Sequence, residues 1–307
     1  MQKLEKLELK QRNLLQRLLN RMCRNPYILV TPAVVLALIF TTYPIIYGVY
    51  VSFCKWDIFT NTIKFVGFDN YAYLFSNPEF GLTIVNTLIY VFTFVVLCTI
   101  ITLLLGVFLN KDTRPRNLVS TIMFTPYIIS YVSIAVVWMW LMDPKIGIIN
   151  YVFGLFGLQP LYWMKDSSTS LMSVLIVALW RLIGYGVLIV ISGLRSIPDY
   201  VYEAARLDRS SKSNTFFHIT VPMLSPTLFF LIVTTTLDSF CTFDIVKLMT
   251  NGGPNNSSNL LAFYIYQTGF EFMRMGEAMA AAVLLLILTA LISAVNFLVL
   301  GKKVHYQ

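Results

Sequence analysis

The chain has 307 residues, 57% of them hydrophobic and only 12% charged, with a formal net charge of +8. A soluble domain carries about a quarter charged residues. This composition, with a mean hydropathy of +0.71, argues against a soluble globular fold and places the chain in the membrane class.

Residues 1–26 form a basic leader in which Leu alternates with charges at near-helical spacing. It reads either as a helix lying on the membrane surface or as a solvated leader. It is too long and basic for a signal peptide, and no A-x-A site follows the next apolar run. Six apolar stretches follow, near 27–51, 82–109, 118–141, 171–192, 223–248 and 277–300. Each exceeds the roughly 20 residues that a helix needs to cross a bilayer. All six are predicted to be helical, because in lipid a chain must satisfy its own backbone hydrogen bonds. The fifth is the least pure, holding Asp238, Asp244 and Lys247. Segments 1–26, 110–117, 193–222 and 301–307 carry sixteen Lys and Arg, against five in 52–81, 142–170 and 249–276. The positive-inside rule then puts both termini in the cytoplasm and explains the net charge without nucleic acid. The division expected is a leader, 1–26, a membrane domain, 27–300, and a cytoplasmic tail, 301–307.

Cys23, Cys54, Cys98 and Cys241 form no C-x-x-C pair, so neither a disulfide framework nor a zinc site is expected.

Between the fourth and fifth stretches lies a charged segment, 196–222, on the cytoplasmic side. Ser196 and Asp199 resemble a capping pair and Pro198 suits a first helical turn, so "DYVYEAARL" reads as a short helix. Ser210 and Ser211 can cap a second one, "KSNTFFHIT", ending before Pro222. The segment is either a solvated connector or a docking element. Connectors are usually shorter than this.

"EAARLDRSSKSNTFFHITVPMLSP" resembles the EAA loop of binding-protein-dependent ABC importer permeases. Glu203, Ala204, Ala205, Asp208, Ile219 and Pro222 match that pattern, while Arg209 stands at the family's glycine. Glycine adopts a left-handed bend at little cost and other residues do not, so the bend is expected to differ here. "FVGFDNYAYLFSNPEF" at 65–80, "FTPYIISYVSIAVVWMWLMDPKIGIIN" at 124–150 and "DSFCTFDIVKLMTNGGP" at 238–254 are similar to further stretches of the family. Together these cover nearly the whole chain and point to the first permease subunit of the maltose or glycerol-phosphate type. The resemblance implies an all-α membrane protein: six transmembrane helices in the type I ABC importer permease fold, with a cytoplasmic EAA coupling-helix loop. It implies a bacterial cytoplasmic membrane location and a heterodimer with a second homologous permease. Two ATPase subunits that bind ATP and Mg, and an extracytoplasmic solute-binding protein, would complete the assembly. This chain itself has no G-x-x-x-x-G-K-[ST], so it is expected to bind no ATP by a P-loop. The resemblance makes Glu203, Ala204, Ala205, Asp208 and Arg209 the ATPase-coupling residues, Glu203 through a charged contact and the alanines by permitting close seating.

Polar groups inside spans are costly and so are functional candidates. Thr235, Ser239 and Thr242 fall at i, i+4 and i+7, one helix face, with Asp238 beside them. Arg181 and Tyr185 fall at i, i+4 on the fourth span. Placed without gaps against maltose-type permeases, Tyr185, Thr235, Ser239 and Thr242 occupy sugar-site positions. Alternatively, Ser and Thr in spans bond their own helix or a neighbour. Arg181 and Asp238 either pair across two helices, or Arg181 meets an anionic substrate. Asp244 and Lys247 read as interfacial anchors, and Trp138, Trp140 and Trp163 as belt aromatics. "TNGGPNNSS" at 250–258 reads as a turn, or as a turn that also helps dock the binding protein. The rival function is an ion-coupled secondary transporter using Arg181, Asp238 and Asp244 as a relay, which would need no capped cytoplasmic segment. There is no H-E-x-x-H or G-x-S-x-G, and His218 lies far from His305, so no enzyme, cofactor or metal site is expected.

Overall fold

A computed structural model describes residues 26–57, 60, 62–299 and 301–303. Residues 1–25 of the leader, which include Cys23, and His305 lie outside the described residues. The first long helix, α1, runs over Tyr27–Ser52 with a π-helical turn at Leu38–Thr42. A two-stranded antiparallel hairpin follows, β1 (Cys54–Asp57) and β2 (Thr62–Phe65), then α2 (Asp69–Ser76). The 32-residue α3 (Pro78–Leu109) starts four residues earlier than the apolar run. Asn77 accepts the Glu79 N–H at 3.0 Å, and Pro78 occupies the first turn, where a missing N–H costs nothing. Next come α4 (Arg114–Ile128), α5 (Tyr131–Leu141), α6 (Ile148–Leu155) and α7 (Ser170–Arg195). Then follow α8 (Asp199–Leu207), the bent segment α9 (Lys212–Met223) and α10 (Ser225–Phe240). α11 (Leu261–Tyr266) and α12 (Met275–Val299) complete the chain.

Four of these helices, α1, α3, α7 and α12, are long and apolar enough to cross a membrane, and α4–α5 and α9–α10 qualify only as bent pairs. The third predicted span, 118–141, is therefore not one helix. α4 and α5 meet at 105°, with Ile129 and Ser130 both extended between them. Pro126 removes one helical N–H three residues before the break, and hydropathy does not register that. The fifth predicted span, 223–248, also differs. α10 begins after a 66° bend at Leu224 and ends at Phe240, eight residues short. Thr234, Thr235, Thr236 and Ser239 all turn their hydroxyls onto carbonyls of their own helix, which competes with regular helix geometry.

α7 is the central element and packs chiefly against α3 and α4. In lipid, apolar burial drives helix association little, and close packing of small residues takes over. Gly184 and Gly186 serve this purpose. A Cβ on Gly184 would overlap the Met123 carbonyl of α4, and one on Gly186 would lie 2.5 Å from Thr102 Cγ2 of α3. Tyr90, Phe94 and Cys98 of α3, Val174 and Val177 of α7 and Phe240 of α10 form the largest core. α1 leaves most of its apolar side chains exposed.

At one end of the bundle polar groups tie the loops down. Asn86 donates to Asn256 O at 2.8 Å, Leu261 N–H donates to Thr87 Oγ1 at 2.9 Å, and Ser170 Oγ lies 2.7 Å from Ser257 Oγ. "TNGGPNNSS" is a turn, with left-handed backbone at Asn251, Gly252, Asn255 and Asn256. Trp163 is not a belt residue. It is buried and donates to Asn150 Oδ1 at 2.9 Å, bracing α6. Trp140 is exposed, and Trp138 sits edge-on to Trp180. Lys247 forms an ion pair with Glu271 and lies over the Phe263 and Tyr266 rings, so it braces a loop junction. In the segment before α6, Asp143 accepts N–H groups from Lys145 (2.8 Å) and Ile146 (3.1 Å), which hold its carboxyl below the usual range.

Candidate functional site

Two places gather the candidate residues. The first is a polar and aromatic cluster beside α7. Arg181 and Tyr185 lie one turn apart and face the α4–α5 break. The Arg181 guanidinium donates to Tyr131 Oη at 2.7 Å and to Tyr127 O at 3.3 Å. It lies 3.7 Å from the Tyr131 ring centroid and 5.0 Å from that of Tyr127, within cation–π range. Tyr185 stacks on Tyr127, centroids 4.6 Å apart and planes at 13°. All four side chains are half-buried.

Arg181 and Asp238 do not pair. Among the described residues, the ion pairs within 4.0 Å are Lys247 with Glu271 and Arg274 with Glu277. The break explains this, since it frees the Tyr127 carbonyl and presents the Tyr131 hydroxyl, and together these occupy the guanidinium fork. Asp238 is exposed at the end of α10. Thr235 and Ser239 are buried, their hydroxyls 2.7 Å from Leu231 O and Thr236 O of their own helix. Thr242 lies beyond the helix end, so i, i+7 spacing no longer places it on that face. Its Oγ1 sits 3.2 Å from Tyr90 Oη of α3. The polar groups of this cluster are thus Arg181, Tyr127, Tyr131 and Tyr185, with Asp238, Thr242 and Tyr90 close by on α10 and its end and on α3. Tyr127, Tyr131 and Tyr90 were missed in the sequence. Polar-tipped aromatics beside a proline in an apolar run were the available signal for the first two.

The second place is the α8–α9 segment. Val201 and Tyr202 seat α8 against a cluster that includes Ile197, Leu194 and Leu224, and Ala205 is buried. Glu203 and Ala204 are exposed, whereas Ala205 faces inward, so only Ala204 offers a small outward surface. Tyr200 and Leu207 are 69% and 84% exposed. With Ala204 they stand at i, i+4 and i+7, an apolar stripe beside Glu203 on the free face. Tyr200 and Leu207 were also missed, although the same spacing was legible.

The turn after α8 keeps the bend that Arg209 was expected to alter. Arg209 itself adopts φ 53°, donates its N–H to Arg206 O at 3.0 Å, and is followed by Ser210 N–H to Ala205 O at 3.0 Å. That pair of bonds is a Schellman motif with arginine at the left-handed position. Asp208 and Arg209 are exposed. Ser211 caps α9 by accepting the Asn214 N–H at 3.2 Å. Ser196 does not cap α8: Pro198 is the N-cap, and the Ser196 hydroxyl donates to Gly193 O at 2.7 Å. α9 also does not stop before Pro222. It passes through a π-helical turn at Phe216–Thr220 and reaches Met223, with Pro222 in its last turn.

Comparison with known proteins gives this geometry a context. Residues 102–306 match the family model described as "binding-protein-dependent transport system inner membrane component". The probable ABC transporter permease protein YurN of Bacillus subtilis is 34% identical over 285 residues, covering 91% of this chain and 97% of that protein. The sn-glycerol-3-phosphate transport system permease protein UgpA of Pectobacterium atrosepticum is 32% identical over 285 residues, covering 92% and 96%. Among solved structures, a chain of a bacterial ABC transporter involved in the import of the acidic polysaccharide alginate superposes with a TM-score of 0.80. The two chains are 23% identical, over 93% of this chain and 99% of that one, which establishes a shared fold. The broken spans are therefore read within a multi-pass membrane fold. This chain belongs to the family of binding-protein-dependent transport system inner membrane components, the permease subunits of ABC importers.

Proposed function

We propose that this chain is the first of two different permease subunits in an importer for an oligosaccharide or related carbohydrate. Each bent helix pair counts as one span, giving six, with both termini and α8–α9 in the cytoplasm. Two ATPase subunits bind ATP and Mg and supply the energy. A second homologous permease completes the channel, and an extracytoplasmic binding protein delivers the solute. ATP binding closes the ATPase dimer and draws the coupling helices together, biasing a two-state equilibrium between inward-open and outward-open cavities.

The observation that carries this reading is the free face of α8. Tyr200, Ala204 and Leu207 expose an apolar stripe beside Glu203, on a helix firmly seated from behind. Such a surface calls for a protein partner. A cluster of tyrosines with Asp238 and Thr242 close by suits carbohydrate, which offers apolar ring faces and many hydroxyls. UgpA relatives are named for sn-glycerol-3-phosphate, and the structural neighbour imports an acidic polysaccharide. Both are polyhydroxylated solutes, consistent with this class. The relay expected of a secondary transporter has no support in the geometry, since Arg181 is engaged by tyrosines.

The test is Glu203→Lys in the reconstituted complex with its binding protein. The variant should insert normally and lose substrate-stimulated ATP hydrolysis. Full stimulation in that variant contradicts docking through α8.

A further inference from the structure

We infer that Arg181 is a positioning residue for transport, a two-sided pin across the break in the third span. An unbroken helix would pair the Tyr127 carbonyl with the Tyr131 N–H. Here that carbonyl accepts from Arg181 Nη2 at 3.3 Å, and Arg181 Nη1 donates to Tyr131 Oη at 2.7 Å. One planar guanidinium thus holds the last turn of α4 and the first residue of α5 at once. In lipid a freed carbonyl needs a partner, and the cation side chain of a neighbouring helix supplies it.

The surrounding packing makes α7 a cradle for the break. Gly184 admits the Met123 backbone, and Tyr185 stacks on Tyr127 one turn from Arg181. The 105° angle between α4 and α5 and the placement of the Tyr127 ring on Tyr185 therefore depend on the same fork. A change in that angle during alternating access requires one of the two bonds to open while the other persists. Lysine cannot replace this function, because a single ammonium lacks the planar fork that spans both acceptors.

The link from this joint to substrate handling rests on the proposed carbohydrate site. The joint itself does not, and the experiment separates the two. In the full importer in nanodiscs, with native cysteines replaced, spin labels are placed through Leu118→Cys on α4 and Val137→Cys on α5. Both positions are well exposed, at 62% and 52%. Arg181→Met and Arg181→Lys should each broaden the label-to-label distance distribution. Arg181→Lys should also raise KM for uptake about tenfold, the loss of one charge-assisted hydrogen bond, and Arg181→Met, which loses both, more than tenfold, with kcat changed less. Tyr131→Phe keeps the ring and removes one acceptor, so it should give a smaller broadening. It also serves as the reading if the Arg181 variants fail to assemble. An unchanged narrow distribution in these variants overturns the proposal, as does full rescue by lysine. If the distances broaden but Tyr185→Ala leaves KM unchanged, the joint stands and the carbohydrate site falls.

Discussion

Arg209→Gly is expected to stabilise the coupling segment. Arg209 holds φ 53° at the C-terminal turn of α8, a region that costs an L-residue other than glycine about 1–2 kcal/mol. Glycine removes that strain but adds chain freedom to the open state, offsetting about 0.4–1 kcal/mol. The net is about 0.5–1 kcal/mol, a shift of about two- to fivefold in the local opening equilibrium. The reporters are the Arg209 and Ser210 amides, which donate to Arg206 O and Ala205 O, both at 3.0 Å. Residue-resolved hydrogen exchange of the complex in nanodiscs should show these two amides exchanging about two- to fivefold more slowly in the glycine variant. Arg209→Val, β-branched and worse in this region, should exchange faster than the parent. Unchanged or faster exchange in Arg209→Gly refutes the argument that the turn is strained.

Further outcomes follow from the cluster and the loops. Ser239→Ala should leave uptake kinetics unchanged, because the hydroxyl is spent on Thr236 O, whereas Asp238→Asn should raise KM; the opposite pattern in uptake assays would return Ser239 to the site. Gly184→Ala forces a Cβ against the Met123 carbonyl, and such overpacking costs about 1–3 kcal/mol, visible as a lower thermal midpoint of the detergent-solubilised complex. The Asp143 carboxyl is held below its usual value of 3.8 by backbone N–H groups. A lowered pKa contributes order that is present above 3.8 and lost as pH falls through the lower folded-state value. Protection of the Ile146 amide, relative to its intrinsic exchange rate at each pH, should therefore hold down to pH 3.8 and fall below it, a dependence that Asp143→Asn should abolish.

The four uninterrupted helices long and apolar enough to cross a membrane were legible because an apolar run of sufficient length leaves a chain in lipid only the helix. α8 was legible from its pattern, and the Ser211 cap from its chemistry. Backbone breaks were not, because hydropathy reports composition and is blind to where hydrogen bonding stops. The α4–α5 break lies inside a run that passes as one apolar span despite Pro126, Tyr127 and Ser130. It is held by Arg181 from a helix 50 residues away in sequence, a long-range contact that no local pattern encodes. The same gap misplaced Thr242, whose face was deduced from a helix that ends at Phe240. The hydroxyls were legible only as alternatives, sugar contact or a bond to their own helix. Spacing says which face a side chain shares, and it is silent on whether a threonine spends its hydroxyl on its own helix. Arg209 shows the converse, since the sequence flagged the missing glycine and the fold kept the left-handed turn regardless.

Native mass spectrometry of the complex released from nanodiscs tests the central claim most directly. The account predicts one copy of this chain with one different permease and two ATPase subunits, and loss of the ATPases alone in Glu203→Lys. A particle containing only this chain, or one that keeps its ATPases in that variant, would contradict it.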